Sequence, residues 1–312
     1  MIRFLKTTAA LMLSLILMLL CSCSILEGEP AIISDEQAAL LTKPSADEDA
    51  VVYSSSTAIT PVNSNGVWTI NYPTSPAQRL EDGSLKSFET LRQLNPDIVG
   101  WITIPGTVID YPVVKGADND FYLHHNIYGE ENKNGTLFIH YKNRIEPDYQ
   151  SPVLIIFGHH MHSGVMFEDL MQYDITSNPD ALEFYRNSGV FTYNGLYDEG
   201  AWVIYSVMKI NTLDEHGPVF RFMVSDFTSE QTAEYQAYID ETRARSVIDT
   251  SAVVDVTVND RIMVMSTCSY EYDNFRTIIV ARKLRSDETS LDLNKAKRAE
   301  NPVMPEIWDI TY

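Results

Sequence analysis

The chain has 312 residues, of which 23 are lysine or arginine and 43 are aspartate or glutamate. A content of 45% hydrophobic and 11% aromatic residues is typical of a globular protein and excludes wholesale disorder. The net charge of −20 argues against nucleic-acid binding, which needs clustered lysine and arginine, so we expect no nucleic-acid partner.

The N-terminal residues 1–26 are predicted to form a signal or membrane anchor. Arg3 and Lys6 precede twenty residues without a charge, and twenty apolar residues in a helix span about 30 Å of membrane. The basic flank predicts that the rest of the chain lies outside, at the extracellular face of the cell membrane. The run LCSC at residues 20–23 loosely resembles a bacterial lipoprotein signal, with Cys23 as the lipidated residue. An uncleaved anchor, a lipoprotein and a cleaved secretory signal all stay open.

The remainder divides by composition into three parts. Residues 27–82 are rich in Ser, Thr, Ala, Pro and acidic residues, which predicts an acidic stalk that cannot bury enough surface to fold. Residues 83–285 carry strands and turn signals and are predicted to form one folded domain. Residues 286–312 have no strong core pattern and are assigned as a C-terminal tail.

Eight short apolar runs between turn signals predict β-strands in the folded domain. Their irregular spacing favours a closed or nearly closed β-barrel over a parallel sheet, so the fold class is mainly β with flanking helices. The runs are WITIPGT, TVIDYPVV, GTLFIHY, PVLIIFGHH, GVFTYNG, GAWVIYSVMKI, DRIMVMSTC and RTIIVARKL. Helical patterns are SLKSFETLRQLN before the first strand, GVMFEDLMQYD after the double histidine, and SEQTAEYQAYIDETRA between the sixth and seventh strands.

Two apolar strands end in groups that can do chemistry. PVLIIF is followed by Gly158 and His159, and IMVM is followed by Ser266, Thr267 and Cys268. Cys268 is the one cysteine outside the N-terminal stretch, which excludes a disulfide framework and a cysteine-based zinc site. If Cys268 ends one strand and Arg276 begins its hairpin partner, both lie at the same rim of the sheet. A thiolate nucleophile, an imidazole acid and a fixed cation are the components of thiol-based acyl transfer.

Other kinds of site find less support. The sequence lacks the glycine-rich nucleotide-binding patterns, the HExxH zinc motif and the GxSxG elbow. The His-His-x-His run at residues 159–162 is a poor metal site, because alternation along a strand points neighbours to opposite faces and no carboxylate completes a ligand set. His140 is interpreted as a surface or structural residue. We therefore expect no metal and no cofactor.

The motifs together resemble the sortases of class B, a family of membrane-anchored cysteine transpeptidases of mainly Gram-positive bacteria. The resemblance covers about residues 85–284 and includes LNPDIVGWITIPGTVIDYPVVKGADNDFYLHHN, GTLFIHYKN, FGHHMHSGVMFEDL and MSTCSYEYDNFRTIIVARKL. The Ser-Thr-Cys ending and the helical insertion before the cysteine strand look like class B. The resemblance implies that the catalytic domain is built on an eight-stranded β-barrel.

The resemblance also implies roles for individual residues. His159 matches the catalytic histidine, Cys268 the nucleophile, and Arg276 the arginine that orients the substrate and stabilises the oxyanion. Asn119, Leu123 and Ser266 correspond to substrate-binding positions in the groove. The sequence departs from the family at Phe157, where several members have tyrosine, and at His140, where aspartate is common.

The implied reaction cleaves a C-terminal sorting signal after threonine and passes the protein to an amine. The implied partners are surface proteins that carry a sorting signal, and a cell-wall precursor or a pilin lysine as acceptor. Papain-like peptidases fit poorly, because they place the cysteine before the histidine, and the Ser-His-Gly-Cys run of L,D-transpeptidases is absent. An exported, non-enzymatic binding lipoprotein in which Cys268 is structural is the alternative from another class; another cell-wall thiol transpeptidase also stays open.

Overall fold

The computed structural model describes residues 59–161 and 163–308. Within them the α-helices are α1 (Glu89–Leu94), α2 (Ala181–Ser188) and α3 (Thr232–Ala244). The strands are β1 (Thr60–Ser64), β2 (Val67–Asn71), β3 (Ile98–Thr103), β4 (Asp110–Val114), β5 (Leu137–Ile139), β6 (Val153–Phe157), β7 (His160–Met161), β8 (Val165–Met166), β9 (Val190–Gly195), β10 (Glu199–Ile210), β11 (Ile248–Asp249), β12 (Ile262–Ser269), β13 (Phe275–Lys283), β14 (Ser290–Asp292) and β15 (Lys297–Arg298).

Eight of these strands close into a barrel. Their order is β10, β13, β12, β6, β5, β4, β3 and β9, and β9 pairs back onto β10. The eight apolar runs of the sequence supply these eight strands, so the predicted mainly-β barrel is confirmed. The strand β12 lies between a parallel neighbour, β6, and an antiparallel neighbour, β13. All but one of its residues are buried, which makes it a rigid support for the group at its end.

The predicted helices agree with the structure in two cases of three. The first pattern forms a short 3₁₀ turn at Lys86–Phe88 followed by α1, and the third forms α3 between the sixth and seventh barrel strands. The second pattern is different: Val165–Met166 is a strand, and Glu168–Tyr173 is a 3₁₀ helix. The helix α2 was missed: it has only eight residues, and its buried positions Ala181, Tyr185 and Ser188 cover just two turns.

The folded region extends beyond the predicted range 83–285 at both ends, which corrects the assigned boundaries. Strands β1 and β2 form a hairpin inside the predicted stalk, and β14 from the predicted tail pairs with β2. Trp68 of β2 and Leu293 just after β14 are buried. Each of these segments alternates apolar and polar residues over only a few positions, so its average composition is polar although one face is buried.

The predicted anchor and most of the predicted stalk lie outside the described residues. Within 59–161 and 163–308, none of the helices has the length and apolar character that crossing a bilayer needs.

Candidate active site

Cys268 and Arg276 lie directly opposite each other in the sheet. The register of the β12–β13 hairpin pairs Cys268 with Arg276, and both side chains are half-buried. Directly opposed residues of antiparallel strands project to the same face, with their Cβ atoms about 4.5–5.5 Å apart. The hairpin predicted from the spacing of these two residues is therefore present, and it places a guanidinium beside a thiol.

His159 follows the neighbouring strand at the same rim. The parallel register of β6 and β12 pairs Phe157 with Ser266, and the N–H of Gly158 donates to the carbonyl of Ser266 over 3.2 Å. His159 and Cys268 each lie two residues beyond this last registered pair. His159, Cys268 and Arg276 thus form a row at one rim of the barrel, where β6 and β12 end and β13 begins.

Gly158 is required by close packing where β6 ends. A Cβ at this position would lie 2.4 Å from Leu137 Cδ2 and 2.6 Å from Phe167 Cδ2. The N–H of Phe167 donates to the carbonyl of His159 over 2.9 Å. The glycine thus lets the Phe167 ring approach the chain where it turns, and this contact fixes the backbone of His159.

The ring of His159 is oriented by a backbone carbonyl. Its Nε2 lies 2.8 Å from the carbonyl oxygen of Leu123. Because a carbonyl oxygen only accepts, Nε2 carries a hydrogen in this arrangement. Leu123 was predicted from the resemblance to contact substrate; the structure places its backbone at the candidate catalytic histidine, and contact with substrate stays a prediction.

The second histidine of the doublet connects the segment after β6 to the end of β12, and it was not identified from the sequence. His160 Nδ1 donates to the carbonyl of Cys268 over 3.1 Å. The hydroxyl of Tyr270 donates to the carbonyl of His160 over 3.0 Å, and the two rings lie 4.8 Å apart. These contacts tie the start of β7 to the backbone carbonyl of the candidate nucleophile and to the side chain of Tyr270. The repeated histidine was the only signal in the sequence.

Asn119 contacts the strand end that carries His140. Its Oδ1 accepts from the N–H of Tyr141 over 3.0 Å, and its Nδ2 lies 2.8 Å from His140 Nδ1. Burial lowers the pKa of His140 below its ordinary value of 6.5, and the nearby Lys142 and Lys115 lower it further. His140 is therefore a neutral, buried ring, which agrees with its interpretation as structural. The predicted contact of Asn119 with substrate stays a prediction.

Ser266, the third predicted substrate-binding residue, has only 1% of its surface exposed. It projects to the same face as Cys268, two residues before it in β12. Among the described residues its hydroxyl has no hydrogen-bond partner. Ser266 therefore lies beneath the site rather than on its surface, and its role toward substrate stays a prediction.

Exposed aromatic side chains surround these residues. Phe121 precedes Leu123 in a 3₁₀ helix, Tyr141 follows His140, and Tyr270 follows the strand of Cys268. Sequence reasoning did not single them out, because an isolated aromatic residue in a loop gives no periodic signal. In the described ranges no group of three or more histidine, cysteine, aspartate or glutamate residues is placed to hold a metal ion.

Comparison with known proteins agrees with this arrangement. Residues 102–284 match the family model of the Sortase domain. Sortase B of Staphylococcus aureus is 32% identical over 200 residues, which are 64% of this chain and 75% of the relative. Sortase B of Listeria monocytogenes is 33% identical over 187 residues, which are 59% of this chain and 67% of the relative.

A solved structure gives the same result for the fold. The Staphylococcus aureus sortase B–substrate complex superposes with a TM-score of 0.55 at 30% identity, covering 64% of this chain and 86% of the other. The family match spans seven of the eight barrel strands in full and the last two residues of β3, together with the histidine, cysteine and arginine positions of the row. The chain thus belongs to the sortase family of cysteine transpeptidases, and within that family to class B.

Proposed function

We propose that this protein is a membrane-tethered class B sortase that cleaves a C-terminal sorting signal after threonine and transfers the protein to an amine. The observation that carries the proposal is the row of three residues at one rim, with Cys268 paired to Arg276 and His159 two residues beyond the last β6–β12 pair. This row brings a nucleophile, an acid–base group and a fixed positive charge to one face.

In the first half-reaction the thiolate of Cys268 attacks the carbonyl carbon of the threonine in the sorting signal. The carbonyl π electrons move to oxygen, and the oxyanion is stabilised by the guanidinium of Arg276. Collapse of this intermediate breaks the C–N bond. The imidazolium of His159 gives its proton to the leaving amine, and a thioester on Cys268 is left.

In the second half-reaction an amine of a cell-wall precursor or a pilin lysine attacks the thioester carbonyl. The neutral imidazole of His159 takes the proton of the attacking amine, and Arg276 again faces the oxyanion. The C–S bond then breaks, an amide is formed, and the thiolate returns to its starting state. The hydrogen bond from His159 to the carbonyl of Leu123 supports this role, because it keeps the ring at the rim.

The groove that receives the signal is proposed to include Asn119 and Leu123, with the buried Ser266 forming part of its floor. Asn119 lies at the end of β5 and Leu123 at the ring of His159, which supports a groove that runs along this side of the barrel. NPxTN-like and LPxTG-like signals are both candidate substrates. The Staphylococcus aureus relative has been solved as a substrate complex, which supports a peptide site in this family.

The tether is proposed to be the N-terminal stretch after Arg3 and Lys6, with the catalytic domain at the outer face of the membrane. Fractionation of cells that express the full chain tests this: the protein should sediment with membranes and resist extraction by high salt. A Cys23→Ala variant separates the modes of attachment, since only a lipoprotein would lose a covalent lipid. Recovery of the wild-type chain in the soluble cytoplasmic fraction would contradict the proposal.

The transfer reaction is tested with the full chain purified in detergent and a panel of quenched peptides with NPxTN-like and LPxTG-like cores. Intact mass spectrometry, before an amine is added, should show an acyl adduct on the wild type with one class of core. The Cys268→Ala protein is the matched control and should show neither cleavage nor adduct. A folded wild-type protein that forms no adduct with any core, and whose Cys268 is also unreactive to alkylation, would overturn the proposal in favour of a non-enzymatic binding lipoprotein.

A further inference from the structure

A buried ion cluster lies directly behind Cys268 and Arg276. The strand β10 pairs Lys209 with Thr277, the residue after Arg276. Successive residues of a strand project to opposite faces, so Lys209 and Thr277 lie on the face that Cys268 and Arg276 do not use. The side chain of Lys209 is 1% exposed, although lysine is rarely buried unless it is paired.

The ammonium of Lys209 has three oxygen partners. It lies 2.8 Å from Asp174 Oδ2 and 2.6 Å from Glu271 Oε1, and it donates to Thr277 Oγ1 over 2.8 Å. An ammonium has three donors, so all of them are used. Burial raises the pKa of Asp174, but the charge of Lys209 and the hydrogen bonds from Lys209 and Thr176 outweigh burial and bring it below 3.8. Asp174 is therefore ionised at neutral pH.

The two acidic partners come from the two segments that carry the reactive groups. Asp174 directly follows the 3₁₀ helix Glu168–Tyr173, which the chain enters from the β7–β8 hairpin after His159. Glu271 lies in the loop that joins Cys268 to Arg276. A single ammonium thus joins the segment that follows the histidine to the loop between the cysteine and the arginine.

We propose that Lys209, Asp174 and Glu271 are positioning residues for the transfer reaction, holding His159, Cys268 and Arg276 in register through one buried ammonium. The inference rests on the proposed roles of those three residues. The β12–β13 loop needs such a support because several of its residues, Tyr270, Asp273 and Asn274, are exposed to solvent. Glu271 attaches this loop to the buried ammonium, in addition to the hydrogen bonds that Tyr270 and Asn274 make.

The test compares Glu271→Ala with Glu271→Gln in the full chain. Lys209 keeps its ion pair with Asp174 in both variants, so both are expected to fold. Alanine removes the contact, whereas the amide oxygen of glutamine can still accept from the ammonium. A positioning role predicts that Glu271→Ala lowers kcat at least about tenfold, since small displacements of reacting groups are costly. Glu271→Gln should stay close to the wild type.

A second measurement is independent of substrate. The pH dependence of iodoacetamide alkylation is followed by mass spectrometry on the peptide that contains Cys268. If Arg276 is displaced in Glu271→Ala, the thiolate loses a stabilising charge and the midpoint moves to higher pH. If Glu271 acts only through its charge, both variants move the midpoint to lower pH, because each removes a negative charge. An unchanged midpoint with a lower melting temperature would show a purely structural role; either result overturns the inference.

Glu288→Ala is the matched control. Glu288 accepts from the fully buried Arg282 over 2.6 Å near the other end of β13, so its removal also deprives a buried cation of its carboxylate. Its alkylation midpoint should equal that of the wild type. If the wild type shows no Cys268-dependent cleavage, the proposed function fails; if the wild type cleaves and Glu271→Ala cleaves equally well, only the positioning inference fails.

Discussion

Replacing Trp68 by alanine should destabilise the whole catalytic domain, although this residue lies in a segment whose composition predicts a stalk. Trp68 is 1% exposed, and its Nε1 donates to the carbonyl of Arg186 over 2.9 Å. The hairpin that carries it is completed by β14, more than two hundred residues later in the chain. The side chain thus joins the N-terminal hairpin to the body of the domain beside α2.

The expected loss can be calculated from the burial. A tryptophan side chain buries about 150–250 Å², which at about 25 cal/mol per Å² corresponds to roughly 4–6 kcal/mol. This is an upper bound, because unfolded chains already bury part of that surface. Substitution of buried tryptophan by alanine costs about 3–5 kcal/mol in other cores. We expect a loss of about 4 kcal/mol in the free energy of unfolding, which for a domain of this size lowers the melting temperature by about 8–16 °C.

Thermal and urea unfolding of the wild type and the variant, followed by circular dichroism, measure this loss. Val67→Ala is the matched control, because Val67 precedes Trp68 in β2 and is 40% exposed. Its substitution should change the free energy of unfolding by no more than about 0.5 kcal/mol. If Trp68→Ala lost no more free energy of unfolding than Val67→Ala, the hairpin would not belong to the cooperatively folding unit. Residues 60–71 would then be better described as part of the predicted stalk.

Three further predictions concern the site. Gly158→Ala should cost about 1–3 kcal/mol of stability from overpacking and lower peptide cleavage by displacing His159; chemical unfolding and kcat measure the two effects, and unchanged kcat would contradict the close packing. Arg276→Lys should lower kcat by roughly 10²–10³ while Cys268 is still labelled stoichiometrically, because a lysine lacks the planar, two-pronged donor; equal kcat would exclude oxyanion contact by the guanidinium. The pKa of His140 in the folded protein lies below 6.5, so the unfolded chain binds the extra proton first and stability falls as the pH drops from about 7 to about 5. His140→Asn should lose less free energy of unfolding over that range, and an equal loss would show that His140 is not the responsible group.

The barrel is predictable because its strands are buried on both faces. The run VLIIF of β6 has every residue buried, and IMVMST in β12 is likewise continuous. Such runs stand out in a sequence without knowledge of their neighbours. The hairpin β1–β2 gives no comparable signal, because only Trp68 and Ile70 of β2 are buried and the other three residues of this strand face solvent. Its stability depends on partners that are distant in sequence.

The same distinction separates the parts of the site. Cys268 and Arg276 lie eight positions apart, so a hairpin that places them opposite each other can be inferred locally. To place His159 at the same rim requires the parallel pairing of β6 with β12, which the structure shows; the resemblance to a known family supplied only its role. The carbonyl of Leu123 at His159, and that of Cys268 at His160, are backbone contacts that side-chain identity does not reveal.

Lys209 shows most clearly what sequence patterns leave undetermined. It stands in the run AWVIYSVMKI, where one charged residue at the end of an apolar strand is normally read as the point at which the strand reaches solvent. The structure places it in the interior, because Asp174 and Glu271 come to it from segments 35 residues before and 62 residues after it. A buried charge is tolerated only when its partners are present. A lysine that is buried within a barrel strand therefore indicates that the fold brings acidic residues to it. Here those acids belong to the two segments that carry the reactive groups, and this is why a residue on the opposite face of the sheet is expected to affect the chemistry of Cys268.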